Sequence, residues 1–167
     1  MTGREAMRKY GIPFDAISTP INEKTLFESN HMTLWDIPEN INKAIRVLPN
    51  RIYCNKDLVQ PLTNAFNNII ERGLAEEVKT WDGCYNPRPI RGVEAKFHEL
   101  FNKGLYDKAA DYISIHSWGL AIDINAAWNQ LGKVPLMSQN LVKCFTDAGF
   151  TWGGTFLRKD GMHFELK

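Results

Sequence analysis

Cysteine is scarce in this sequence. Cys54, Cys84 and Cys144 are the only three, widely spaced and odd in number. That excludes a disulfide framework, and with no Cys-x-x-Cys pair there is no thiolate metal site either. The three read as reduced, partly buried small apolar residues. A surplus of either charge is also missing: 20 Lys and Arg stand against 19 Asp and Glu, for a net charge of +1. Nucleic acid is therefore not expected as a partner, because such binding needs many cations on phosphates. No apolar run approaches the roughly 18 residues that cross a bilayer, so membrane insertion is not expected. The opening Met1-Thr2-Gly3-Arg4-Glu5-Ala6-Met7-Arg8-Lys9 is polar and lacks the apolar stretch of a secretory signal. Synthesis in the cytoplasm is the expectation. No internal repeat and no low-complexity segment stands out.

What is present fits an ordinary globular chain, with 44% apolar and 23% charged residues over 167 positions, enough for one domain with a sizeable core and expected to act as a monomer. Residues 1–50 carry Pro13, Pro20, Pro38 and Pro49, which break helical patterning, although Ile37 to Leu48 has room for a short helix. They read as an arm lying on a domain that covers 51–167. Arg51-Ile52-Tyr53-Cys54 predicts a strand. Leu62, Ala65, Phe66, Ile69 and Ile70 recur at helical spacing before Gly73, with Pro61 tolerated near the first turn. Glu76 to Cys84 predicts a strand and Asn86-Pro87-Arg88-Pro89 an extended turn. Val93, Phe97, Leu100 and Phe101 predict a short helix ending at Gly104, and Tyr106 to Tyr112 reads as a polar connection. Leu120, Ile122 and Ile124 alternate with Ala121, Asp123 and Asn125, which predicts a strand with the first set in the core and the second on a cleft. Ser138 caps a helix buried through Leu141, Val142, Phe145 and Ala148 and stopped at Gly149. Met162, Phe164 and Leu166 alternate with His163 and Glu165 in a last strand. The expected class is α+β, a small antiparallel sheet flanked by helices.

The chemistry concentrates in two segments, Ser114-Ile115-His116-Ser117-Trp118-Gly119-Leu120-Ala121-Ile122-Asp123 and Asp160-Gly161-Met162-His163-Phe164. Two imidazoles and a carboxylate, His116, His163 and Asp123, form a common ligand set for a catalytic zinc that keeps one position open for water. Asp160 stands where a general base is wanted, with Gly161 easing its approach. The bland alternative, two satisfied core histidines and a surface acid, explains one histidine but not the whole constellation. Arg88, fixed between prolines, suits a substrate carboxylate or a developing oxyanion better than Arg91 does. His98-Glu99 opens the helical zinc motif, but Asn102 occupies its fifth position, so that motif is absent. His98 and His31 read as surface or ordinarily packed residues. Glu165 reads equally as support for a ligand imidazole or as an exposed acid. Trp118, Trp152 and Gly153-Gly154 are expected to shape the cleft wall and the turn into the last strand, although core packing alone also explains both tryptophans.

These residues resemble the M15 family of zinc peptidases, which comprises D-alanyl-D-alanine carboxypeptidases and dipeptidases and the L-alanyl-D-glutamate endopeptidases found as phage endolysins. The likeness lies in Ser114-Ile115-His116, Gly119-Leu120-Ala121-Ile122-Asp123, Asp160-Gly161-Met162-His163, Trp152-Gly153-Gly154 and Gly83-Cys84-Tyr85-Asn86-Pro87-Arg88, over residues from about 51 to 167. It implies the zinc D-Ala-D-Ala peptidase-like (Hedgehog/DD-peptidase) fold, with His116, Asp123 and His163 as zinc ligands. Asp160 would be the catalytic acid/base and Arg88 the residue that polarises or anchors substrate, with Ser114 and Trp118 as further substrate contacts. Aspartate ahead of the final histidine looks more like the endolysin branch than the dipeptidase branch. The stretch from Arg91 to Ser114 is longer than in many relatives, leaving room for a lid or an extra helix, and an appended wall-binding module is not expected. The implied activity is zinc-dependent hydrolysis of peptidoglycan stem peptides, at the L-alanyl-D-glutamate bond. D-alanyl-D-alanine carboxypeptidase is the near alternative, and a non-catalytic zinc-binding virion protein is the alternative of another class. Action on the cell wall after release from the cytoplasm, from a phage-encoded source, is the expectation that goes with it.

Overall fold

Helices and a strand fit between the early prolines. In the computed structural model, which describes residues 1–13 and 25–167, α1 (Gly3–Tyr10), α2 (Leu26–His31), β1 (Met32–Asp36) and α3 (Glu39–Ala44) occupy the first fifty residues. Pro20 lies outside the described residues. Both α1 and α2 begin on a capping box: Thr2 pairs reciprocally with Glu5, and Thr25 with Glu28. Thr-x-x-Glu is the local start signal that counting prolines passes over. Strand β2 (Arg51–Asn55) pairs antiparallel with β1, with Leu34 opposite Tyr53. Ile37, Ile41, Ile45 and Leu48 join the main core, so the stretch before Arg51 is packed into the rest of the molecule.

Helix α4 (Val59–Glu71) follows a short 3-10 turn over 56–58 and buries Leu62, Ala65, Phe66 and Ile69. Strand β3 (Trp81–Gly83) is shorter than the pattern over 76–84 predicts. The Asn125 side chain explains the difference: its Oδ1 accepts the amides of Lys79 and Thr80, which would otherwise pair with a strand. After α5 (Glu94–Asn102), the expected polar connection contains α6 (Tyr106–Ala109) and a 3-10 turn over 110–112. Ala109 and Ala110 are fully buried there, and a Cβ at Gly3 would lie 2.0 Å from the Ala110 carbonyl oxygen. Glycine therefore lets α1 seat directly on the longer 92–113 segment.

The remaining elements are β4 (Ala121–Ile124), α7 (Gln139–Thr146), β5 (Phe150–Trp152) and β6 (His163–Leu166). They complete a four-stranded sheet of order β3-β4-β6-β5, antiparallel throughout, so the α+β expectation is met. Ile122, Ile124, Phe150 and Phe164 pack with α4 and α7 in the main core. A second core gathers Ala6 and Tyr10 of α1 with Phe97, Trp118, Leu120 and Ala121. Among the described residues no helix is long and apolar enough to cross a membrane.

Candidate metal centre and its cleft

The antiparallel register sets Asp123 of β4 directly opposite His163 of β6, which brings residues 40 positions apart together on the face away from the main core. His116 arrives from a 3-10 turn, Ile115–Trp118, that ends on Gly119 in the left-handed region at φ 64°. Any side chain there would meet Met32 and the Asn55 amide within 2.8 Å. Glycine is therefore what allows the chain to turn sharply from His116 into β4.

His116 Nε2 lies 3.2 Å from Asp123 Oδ1 and 3.1 Å from His163 Nδ1, and His163 Nδ1 lies 3.3 Å from Asp123 Oδ1. Ligands bound tetrahedrally at about 2.0–2.1 Å are themselves about 3.3–3.4 Å apart, so the triangle has the dimensions of a zinc site. The outer nitrogens strengthen the case. His116 Nδ1 donates to the Cys84 carbonyl at 2.6 Å, and His163 Nε2 donates to Glu165 Oε2 at 3.1 Å. That leaves two imine lone pairs and a carboxylate oxygen aimed at one another. Such atoms repel unless a cation, proton or metal, lies between them. The titration behaviour of the site says the same. Burial opposes the charged forms, but the mutual hydrogen bonds prevail: Asp123 is held well below the usual carboxylate range and His163 is lifted to about 9. Among the described residues this is the one cluster of three His, Cys, Asp or Glu donors with such spacing.

The three donors open onto a cavity of about 920 Å³, which Asp160, Arg88 and Ser114 also line. Burial raises the Asp160 pKa, and its Oδ1 is buried without a hydrogen-bond partner. An orphaned carboxylate oxygen is costly in a folded protein and points to a ligand or proton that completes it. Gly153 makes this placement possible, since a Cβ there would lie 2.5 Å from the Asp160 carbonyl oxygen and 3.2 Å from the His163 Cβ. Arg88 Nε is likewise buried and unpartnered. Its backbone is clamped by Ser117, whose hydroxyl accepts the Arg88 N–H at 2.9 Å and donates to the Arg88 carbonyl at 3.0 Å. Nothing in the local pattern singles out Ser117 for that role.

Trp118 is placed differently from the expectation of a substrate contact. It is fully buried in the second core, its indole N–H donates to the Gly11 carbonyl at 2.9 Å, and it does not line the cavity. A bulky ring on the short turn after His116 has the core as its nearest apolar environment. Trp152 also lies behind the site, with its N–H on the Gly161 carbonyl and its ring against Gly154, so it shapes the turn that carries Asp160. Ala121 is buried and Asn125 pins the 77–80 loop, so of the three residues expected on the cleft side of β4 only Asp123 reaches it. His98 is exposed, and His31 packs against Tyr10 and Phe27. The three cysteines are free and buried. Met1, Thr2 and Gly3 line the same cavity, a contribution with no signal in the sequence.

Comparison with known proteins bears on the same residues. Residues 107–166 match the family model Peptidase_M15_4, D-alanyl-D-alanine carboxypeptidase. That span contains His116, Asp123, Asp160 and His163. Among solved structures the chain is similar to the L-Ala D-Glu endopeptidase ChiX of Serratia marcescens, with 18% identity, 78% of this chain and 89% of that chain covered, and a TM-score of 0.36. No curated protein matches the chain.

Proposed function

We propose that this chain, whose residues 107–166 match an M15 peptidase family model, is a zinc-dependent hydrolase of peptidoglycan stem peptides that cuts the L-alanyl-D-glutamate bond. The observation that carries the reading is the convergence of three inward-facing donor atoms within 3.3 Å at a cavity that also holds an orphaned carboxylate. His116 Nε2, His163 Nδ1 and Asp123 Oδ1 would hold the metal. Zinc bound there supplies Lewis acidity, which readies a solvent molecule for attack and polarises the scissile carbonyl. The same donor types hold iron in oxygenases; Asp160, a base beside the donors, and the peptidase match favour hydrolysis.

The protein's own groups divide the remaining work. Asp160 takes a proton from the attacking water and delivers it to the departing amine. Its raised pKa suits both halves of that transfer, because a more basic carboxylate is a better acceptor and its acid form is populated nearer neutrality. The Arg88 guanidinium receives the carbonyl oxygen as negative charge develops there. Ser117 fixes the backbone that presents it. Glu165 and the Cys84 carbonyl hold the two imidazoles in the tautomers that direct their lone pairs inward.

Two features favour an internal bond over a terminal one. Aspartate at 160 resembles the endolysin branch, and a cavity of about 920 Å³ is near the upper end of ordinary ligand pockets, with room for substrate on both sides of the cut. D-alanyl-D-alanine carboxypeptidase is the second reading, favoured by the description of the matching family. Mass spectrometry of purified muropeptides after incubation with zinc-loaded protein separates them: new N-terminal D-glutamate supports the first, free D-alanine the second. Asp160→Asn should lower kcat/KM by about 10²–10⁴ without lowering zinc content. Full activity in that variant would remove Asp160 from its role.

A further inference from the structure

Arg88, Arg91 and Arg158 line the same cavity, and among the described residues none of them makes an ion pair. Four of the five other arginines find acids: Arg4 pairs with Asp111, Arg8 with Asp107, Arg51 with Asp36 and Arg72 with Asp147. Four of the cavity's five acids have other partners, and the fifth, Asp160, is the proposed base and makes no ion pair with the arginines. Asp82 accepts from Thr80 and the Ala126 amide, Asp111 from Arg4, and Glu165 from His163. Glu94 accepts the Gly92 amide and lies within electrostatic reach of Arg158 and Arg88 without an ion pair. Three like charges gathered at one opening repel one another, and an anion entering from outside relieves that repulsion.

Arg158 also has a defined seat. Its Nη1 donates to the Arg91 carbonyl at 2.7 Å. Gly92, at φ 90°, leaves the space the guanidinium occupies, since a Cβ there would stand 3.0 Å from Nη1. This single tether ties the turn that carries Asp160 to the loop that carries Arg88 and leaves the other N–H groups of the fork to bind a ligand. We propose that Arg158, seated on the Arg91 backbone, forms with Arg91 a second anion subsite that takes a free carboxylate of an acidic peptide substrate, beyond the position served by Arg88. This deepens the peptidase reading above and rests on it for the identity of the ligand.

The test uses the zinc-loaded full chain carrying Asp160→Asn, so that bound peptide is not consumed, and two synthetic probes. One is L-alanyl-γ-D-glutamyl-L-lysine with its D-glutamate α-carboxylate free; the other has that carboxylate amidated. Calorimetry should show the acid binding about five- to tenfold more tightly than the amide, with the preference shrinking as salt is added. Adding Arg158→Gln should bring the ratio to about one, while Arg158→Lys should retain part of it. Equal binding of the two probes, or an undiminished preference in Arg158→Gln, would overturn the proposal. Turnover by the unmodified protein is read separately. A preference abolished by Arg158→Gln, together with no cleavage of either probe, would leave the subsite standing and sink the peptidase reading.

Discussion

Replacing Gly153 by alanine places a methyl group where the backbone has left no space. The new Cβ would lie 2.5 Å from the Asp160 carbonyl oxygen, 3.1 Å from the Asp160 Cβ and 3.2 Å from the His163 Cβ. Comfortable contact between such atoms is about 3.5 Å, so the tightest approach is short by on the order of 1 Å. The obstacle cannot swing aside, because it is main chain and the Asp160 amide is tied to the Gly153 carbonyl at 2.9 Å. The turn over 153–160 must open and carry both Asp160 and His163 with it. Overpacking of this kind costs about 1–3 kcal/mol, which for a chain of this length lowers Tm by roughly 2–12 °C. A displacement of about 1 Å at a catalytic group costs on the order of 100-fold in rate. Gly153→Ala should therefore show a lower Tm, weaker zinc binding in competition with a chromophoric chelator, and kcat/KM reduced about 100-fold. Wild-type values in all three would show that the turn has slack, and the argument that this glycine positions Asp160 would fail.

Four further outcomes follow from the same geometry. Zinc binding to metal-free protein at pH 7 should release about one proton, because the hydrogen bonds to Asp123 and Glu165 outweigh burial and lift His163 to about 9; calorimetry in buffers of different protonation heat measures it, and release should fade as pH rises through that value. The linked stability has a definite sign: the raised His163 stabilises the metal-free fold fully below about pH 6.5 and loses that effect toward 9, whereas the depressed Asp123 contributes above about pH 4 and loses it in acid. Thermal unfolding of metal-free protein should peak between those limits, and a Tm that climbs steadily from pH 6.5 to 9 contradicts the assignment. Glu165→Gln should weaken zinc binding by about 10–100-fold, read by chelator competition; unchanged affinity would reduce the 3.1 Å contact to His163 to packing. Trp118→Phe should cost about 0.5–1.5 kcal/mol through the lost bond to the Gly11 carbonyl and leave KM unaltered, whereas a raised KM would return Trp118 to the substrate side.

Several elements could be read from the chain because their signals are local. The helical spacing of Leu62, Ala65, Phe66 and Ile69 is the buried face of α4, and Ser138 accepts the Leu141 amide at the start of α7. Around Asp123 and His163 the two-faced order expected of β4 and β6 holds, with Ile122, Ile124 and Phe164 in the core and the two donors on the cavity. The reading of 76–84 as a strand failed for a non-local reason, since Asn125 removes the backbone amides that a ladder would have used. The helix inside 106–112 was hidden because its apolar content is two alanines, whose burial depends on Gly3, more than 100 residues away in sequence.

By itself the sequence singled out the candidate side chains for the chemistry, because metal donors, a nearby acid and the glycines beside them must be of fixed types and are written in short runs. It could not determine their distances, since these depend on a strand register that pairs Asp123 with His163 and on a turn that delivers His116 from outside the sheet. Only the tertiary structure decided that Trp118 belongs to the core, that the Cys84 carbonyl and Glu165 orient the imidazoles, and that Met1, Thr2 and Gly3 line the cleft. The reason is physical: a side chain's reactivity is set by its own atoms, but its neighbours are set by where the whole chain closes around it.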